Sequence, residues 1–241
     1  MKVLILTYYF PPNNATAGFR PLSWANEFVK NGMEPVVITR HWKPEDNTQK
    51  AFRSYNFNEV KKTTDNGYTT YALPYTPNKK RNFGEIYFRN SKFLSKIYYM
   101  ILTLLGHLDI DLDGRHAFKK FVELYLKNNK VDLLIVTCPP FNLLRLAYEL
   151  KAEFNIPFVA DFRDLWNNNE LNNNFKYGFK DGIFYSILKM HINNWLKPAF
   201  LVTVVSDETG DKIIENGYLN NPVTIFNGFE TQFFAPPPIG I

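Results

Sequence analysis

The stretch Ile156-Pro157-Phe158-Val159-Ala160-Asp161-Phe162-Arg163-Asp164-Leu165-Trp166 decides the fold. It opens as a short apolar run behind a proline and reads as a strand buried on both faces. It then breaks into Asp161, Arg163 and Asp164. In an open parallel sheet, ligands bind outside the carboxyl ends of the strands. Two carboxylates and a guanidinium are costly to bury without partners, which places them at a cleft. The competing reading is a structural ion pair, Asp161 or Asp164 with Arg163, that ties down a loop. Such networks also gather carboxylates without chemistry, so on these residues alone the two readings are level.

Working outward, the same rhythm recurs. Val3-Leu4-Ile5-Leu6 reads as a first buried strand. A helix follows, with Leu22, Ala25, Phe28 and Val29 on one face, Pro21 in its first turn and Gly32 as its stop. Residues 35–39 form the next strand, so the first βαβ unit is parallel. Residues 41–66 are polar and predict irregular chain, with turn signals at Asp46-Asn47 and Asp65-Asn66-Gly67. A strand over 68–73 stops at Pro74. Helices are predicted over 83–105, 115–128, 142–153 and 181–196, and after Ser206 to near Gly217. Strands are predicted over 131–137, 157–161, 200–205 and 222–226. Alternating strands and helices predict an α/β protein with a doubly wound, mainly parallel, Rossmann-like sheet and helices on both faces.

Composition narrows the function. The chain has 241 residues, 45% hydrophobic and 21% charged, enough for a full core. One cysteine, Cys138, excludes an internal disulfide framework. The four histidines are scattered and none has metal-site spacing, so no metal is expected. His191 reads as a packed residue beside its helix stripe. The apolar N-terminal run is too short for a secretory signal, which predicts a cytoplasmic protein. The net charge of +5 is concentrated: Lys79, Lys80, Arg81, Arg89, Lys92 and Lys96 stand against Glu85 alone. The helix over 83–105 therefore has a basic face and an aromatic one. Packing on the sheet is the commoner use; peripheral binding to an anionic membrane through 79–105 is the alternative.

Other strand ends carry candidate residues. The loop Tyr8-Tyr9-Phe10-Pro11-Pro12-Asn13-Asn14-Ala15-Thr16-Ala17-Gly18 joins the first strand to the first helix and exceeds the usual length of roughly 2–6 residues. A helix start there offers amides to a phosphate or sugar hydroxyl, Gly18 permits close approach, and Arg20 offers a fork for an anion. The alternative is an irregular connection with a solvated Arg20. The dinucleotide fingerprint is missing and the second strand ends in Arg40 rather than an acid, against a nicotinamide enzyme. Thr137-Cys138-Pro139-Pro140 lies at another strand end, where Cys138 reads as a small, partly buried thiol rather than a nucleophile. Ser206-Asp207-Glu208 reads as a helix cap and Asn227-Gly228 as a turn.

In order, Lys2-Val-Leu-Ile-Leu-Thr-Tyr-Tyr-Phe-Pro-Pro12, Gly18-Phe-Arg20, Ile38-Thr39, Thr137-Cys-Pro-Pro140, the Asp161–Trp166 segment, Leu201-Val-Thr-Val-Val-Ser206 and Ile225-Phe-Asn-Gly-Phe229 resemble the landmarks of GT-B glycosyltransferases of family 4. The resemblance spans nearly the whole chain. Asp-Phe-Arg-Asp-Leu-Trp and the closing Asn-Gly-Phe are its most specific parts. It implies the N-terminal, acceptor-side Rossmann-like domain over 1–226, with 227–241 starting an interdomain linker and the donor domain absent. It implies retaining transfer from a nucleotide-diphosphate sugar to a saccharide or lipid-linked glycan acceptor, without metal, cofactor or nucleic acid. A fragment of this kind is expected to be inactive alone.

Where the family often has a Gly-Gly pair, this chain has Ala17-Gly18; where many members have a strand-end histidine, it has Thr137 and Arg163. Asp164 or Asp161 is then the catalytic candidate that orients the acceptor hydroxyl, or no side-chain base is used. Arg20 and Arg163 are expected to hold anionic groups and Trp166 a sugar face. Ala17, Gly18, Cys138, Pro139 and Asn227 complete the expected substrate-binding set. A nucleotide-sugar epimerase of the same fold and a non-catalytic binding module are the alternatives.

Overall fold

The computed structural model describes residues 1–42, 59–74, 115–138, 142–163, 190–215 and 221–228, with isolated positions between 87 and 101. These build one eight-stranded sheet. In chain order its strands are β1 (Lys2–Leu6), β2 (Glu34–Arg40), β3 (Lys61–Asp65), β4 (Tyr68–Leu73), β5 (Leu133–Cys138), β6 (Phe158–Phe162), β7 (Leu201–Val204) and β8 (Val223–Thr224). Spatially they run β3-β4-β2-β1-β5-β6-β7-β8. Every neighbouring pair is parallel except β3 with β4. The helices are α1 (Phe19–Lys30), α2 (Arg115–Asn128), α3 (Asn142–Phe154) and α4 (Asp207–Glu215), and residues 190–196 are also helical.

The strands are near-continuous apolar runs because both faces of the sheet are covered. Successive side chains point to opposite faces, and the core divides accordingly. Val3, Ile5, Val37, Ile135 and Val159 pack with Ala25 of α1. On the other face Leu4, Leu6, Val36, Ile38, Leu134, Val136, Phe158 and Ala160 pack with helical side chains. These are Phe118 and Val122 of α2, Leu143 and Leu146 of α3, Ile192 of the 190–196 segment, and Ile213 of α4. The sheet is thus Rossmann-like and doubly wound, as the alternation of elements predicts.

Two differences from the sequence reading have physical causes. Residues 61–65 form β3, not irregular chain; Lys-Lys-Thr-Thr-Asp is exposed throughout, so no apolar alternation marks it. The Asp65-Asn66-Gly67 turn signal closes its hairpin, with Asn66 and Gly67 at positive φ (49° and 83°), the combination that suits strand twist. The last strand is two residues long: Ile225 N–H still bonds the Val204 carbonyl, but its own carbonyl accepts from Arg20. The predicted helices over 83–105 and 181–196 lie largely outside the described residues. Among the described residues no helix is long and apolar enough to cross a membrane.

Candidate functional site

The chain winds outward in both directions from β1 and β5. Helix α1, after β1, covers one face of the sheet, and α3, after β5, covers the other. The carboxyl ends of β1 and β5 are therefore the switch point of the sheet. A crevice at such a switch point is where open α/β sheets bind ligands.

The floor of this region is a row of polar side chains. Thr137, Asp161 and Thr203 are direct register partners on β5, β6 and β7. Thr7 and Thr39 lie one residue beyond the pair Leu6 and Ile38 and extend the row across β1 and β2. All five sit on the α1 face, two residues beyond Ile135, Val159, Leu201, Ile5 and Val37, which pack there. None is more than 2% exposed. Burial of hydroxyls requires partners, and they are present. Thr137 Oγ1 donates to Thr7 Oγ1 at 3.1 Å, and Thr7 Oγ1 donates to the Tyr9 carbonyl at 2.9 Å. The Tyr8 carbonyl accepts from Thr39 Oγ1 at 3.3 Å and from Trp42 Nε1 at 2.8 Å. The row holds the base of the first loop.

Asp161, the one charged member, is completely buried. Arg20, in the first turn of α1, meets it with a two-pronged grip: Nη2 to Oδ1 at 2.8 Å and Nε to Oδ2 at 3.1 Å. Thr203 Oγ1 donates to Oδ1 at 2.6 Å. Arg20 also stacks over Trp24, 5.1 Å from its ring centre. Its remaining edge reaches the chain beyond β8, where Nη1 donates to the Ile225 carbonyl at 2.7 Å and to Asn227 Oδ1 at 3.2 Å. Arg20 is neither solvated nor open to an external anion; its fork grips a carboxylate of its own chain. The partner of Asp161 is Arg20, not Arg163.

The first loop also uses its own donors. Asn13 N–H binds the Phe10 carbonyl, Ala15 N–H binds Asn13 Oδ1, and Gly18 N–H binds the Ala15 carbonyl at 2.8 Å. Gly18 is buried, with φ −85°, and a Cβ there would meet the backbone of Tyr9 and Phe10 at 3.5 Å, an ordinary contact. Ala17 is half-buried, and Thr16 and Asn14 are exposed. Cys138 is fully buried, not partly, and its thiol is pushed well above the usual range, first by burial and then by the Asp161 charge. Arg163 N–H binds the Cys138 carbonyl at 3.1 Å, and its guanidinium lies 5.4 Å from the Tyr9 ring centre.

Beside this point stands an aromatic cluster that the sequence reading did not single out. Tyr9 and Trp42 stack at 5.5 Å with 17° between planes. Arg40 covers Trp42 from 4.1 Å. Arg163, Tyr9, Trp42 and Arg40 thus form a succession of cations and rings above the ends of β1, β2 and β6. Next to it, His41 is buried, and burial followed by the Lys61 charge lowers its pKa.

The structure therefore brings Arg20, Asp161 and Asn227 together in one hydrogen-bonded group, and Cys138 beside Arg163. Asp164, Trp166 and Pro139 lie outside the described residues. Ser206 caps α4 as predicted, its Oγ accepting from Thr209 N–H at 3.2 Å. His191 packs against Trp195, ring centres 5.9 Å apart. Among the described residues no three His, Cys, Asp or Glu side chains converge as a metal would require.

Sheet order and crossovers define a Rossmann-like α/β domain whose switch point, at the carboxyl ends of β1 and β5, is the candidate ligand site. Over 99% of its length the chain matches the crystal structure of Anabaena HepE in complex with UDP-glucose, with a TM-score of 0.53 at 13% identity. It matches α,α-trehalose 6-phosphate synthase from Burkholderia multivorans over 90% of its length, with a TM-score of 0.45 at 12% identity. The chain covers 47% of the first of these proteins and 42% of the second, about half their length. At 13% identity the likeness to HepE describes the fold alone. No family model and no curated protein matches the sequence.

Proposed function

We propose that this chain is the acceptor-side domain of a nucleotide-sugar-dependent glycosyltransferase of GT-B fold, resembling family 4. The observation that carries the proposal is the fold match to HepE across 99% of the chain, joined to the ordered landmarks at the strand ends. HepE was crystallised with UDP-glucose, and a nucleotide-diphosphate sugar is accordingly the donor class proposed here. The acceptor is a saccharide or lipid-linked glycan hydroxyl, and transfer is retaining, as the family resemblance implies.

Within that reaction the geometry redistributes the roles. Asp161 and Arg20 neutralise each other in the interior, which argues for a structural part. Among the described residues near the switch point, Ala17, Arg163 and the Tyr9 ring are half-buried and are the proposed lining of the site. A guanidinium beside an aromatic ring is a group suited to phosphate or sugar oxygens, and Arg163 is the proposed one. Asp164 is the proposed carboxylate for the acceptor hydroxyl and Trp166 the proposed platform for a sugar face.

The test compares this 241-residue chain with the whole product of its gene, which serves as the extended form where it continues past Ile241. Both are incubated with a panel of radiolabelled nucleotide sugars and membrane or saccharide acceptors. The extended form is expected to transfer sugar and the 241-residue chain to be inactive. In the extended form Asp164→Asn should cut turnover by about a hundredfold or more at unchanged melting temperature, as for a positioned acid–base group. An extended form that binds no nucleotide sugar defeats the transferase proposal. Full turnover by the 241-residue chain defeats its assignment to the acceptor side.

A further inference from the structure

We infer that Arg20 is a positioning residue for the chain that leaves the sheet after β8. One edge of its guanidinium is fixed to Asp161, and the other holds Ile225 to Asn227, so the exit direction of the chain is set from the start of α1.

The inference rests on how that segment is held among the described residues. Strand β8 has two residues and pairs there with β7 alone. Val223, Ile225 and Phe226 are 47%, 42% and 66% exposed, so apolar burial contributes little. The Ile225 peptide is nevertheless gripped from both sides. Its N–H donates to the Val204 carbonyl at 2.8 Å, and its carbonyl accepts from Arg20 Nη1 at 2.7 Å. Asn227 Oδ1 joins the same nitrogen at 3.2 Å. Arg20 is 7% exposed, so these bonds form where water competes weakly and a charged donor is worth more than on the surface.

Arginine is suited to this task for a geometric reason. Its donors are held in one rigid plane, so the prongs toward Asp161 fix the direction of Nη1. A lysine ammonium at the same place supplies a point charge for Asp161 but no second, rigidly aimed edge. The link also joins distant parts of the sequence, 205 residues apart. Because Arg20 follows directly on the first loop, its hydrogen bonds tie the end of that loop to residues 225–227.

Hydrogen exchange of the 241-residue chain, followed by mass spectrometry, tests the inference without any sugar. Failure here leaves the transferase proposal untouched, and the converse also holds. Arg20→Lys is expected to raise exchange at the Ile225 amide at least tenfold while the amides of Val3–Leu6 and Val36–Ile38 keep the protection of the parent. Asn227→Ala should produce a smaller rise at the same place. A charge-free set, Arg20→Met with Asp161→Leu and Thr203→Val, keeps the site packed and guards against a lysine variant that fails to fold. It should release Ile225 equally. Unchanged exchange at Ile225 in either arginine variant overturns the inference, since pairing with β7 would then suffice. An equal rise across β1 and β2 overturns it too, because Arg20 would be supporting the whole sheet rather than directing one segment.

Discussion

Asp161→Asn is the sharpest perturbation of the buried pair. The substitution keeps the shape and one acceptor oxygen but removes the charge that faces Arg20. Both partners are out of water, at 0% and 7% exposure, and Asp161 accepts from Thr203 as well as from both prongs of Arg20. Removing one member of a buried pair leaves the other charge uncompensated, at a cost of about 3–5 kcal/mol. For a chain of this size each kcal/mol lowers the melting temperature by about 2–4 °C, so the expected drop is about 10 °C and lies between ~6 and ~20 °C. Thermal denaturation followed by circular dichroism measures it. Burial predicts that the drop is nearly the same at low and high salt, because screening acts weakly on buried charges. The reasoning also predicts that replacing Arg20, Asp161 and Thr203 together by Met, Leu and Val restores most of the loss, since well-packed apolar groups often equal a buried ion pair. A drop below about 2 °C would refute it, because the pair would then contribute no more than an exposed one.

Three other outcomes are expected. Gly67→Ala should destabilise the chain by about 2–3 kcal/mol in urea melts, because Gly67 sits at φ +83° and a Cβ would lie 2.7 Å from Val29 Cγ1; Val29→Ala in the same chain should recover only the steric part. Stability should fall as pH drops below about 6.5, because burial lowers the pKa of His41 in the folded state, so the unfolded chain takes up the proton first. His41→Gln should flatten that slope between about pH 7 and pH 5, and an unchanged slope would show that other groups cause it. The Cys138 thiol, buried and held protonated, should react with a disulfide reagent only as fast as the chain opens, so labelling that outruns opening would contradict its burial.

The parts of the fold that follow from burial were legible in the sequence. Apolar runs bounded by proline and glycine marked β1, β2, β5, β6 and β7 to within a residue or two, because strands covered on both faces must be apolar throughout. β3 was not legible, since an exposed edge strand carries no such signature and is recognisable only through the hairpin turn that follows it. The site was legible as a place but not as a set of bonds. Asp161 announced a strand end, yet nothing local reveals that its partner lies 141 residues earlier. A signal did exist. Leu6-Thr7, Ile38-Thr39, Val136-Thr137 and Ala160-Asp161 each follow an apolar run with a polar residue, and Thr203 interrupts one in the same way. Repetition of that step at the same edge indicates a polar layer rather than separate loop residues.

That layer explains why two charges at a cleft need not both serve a ligand. Asp161 and Arg163 are two residues apart, so alternation sends both side chains toward the α1 face. What separates them is depth. Asp161 still pairs in register with Thr137 and Thr203, under the cover of α1, and has no exposed surface. Arg163 lies one residue past the end of β6, where its backbone makes a last bond to Cys138 and its side chain emerges beside Tyr9. A carboxylate at the first depth needs a resident cation, and Arg20 supplies it. A guanidinium at the second is only half-buried and can meet a ligand without the full cost of desolvation. The boundary between buried scaffold and side chains within reach of a ligand therefore falls within the single step from Asp161 to Arg163.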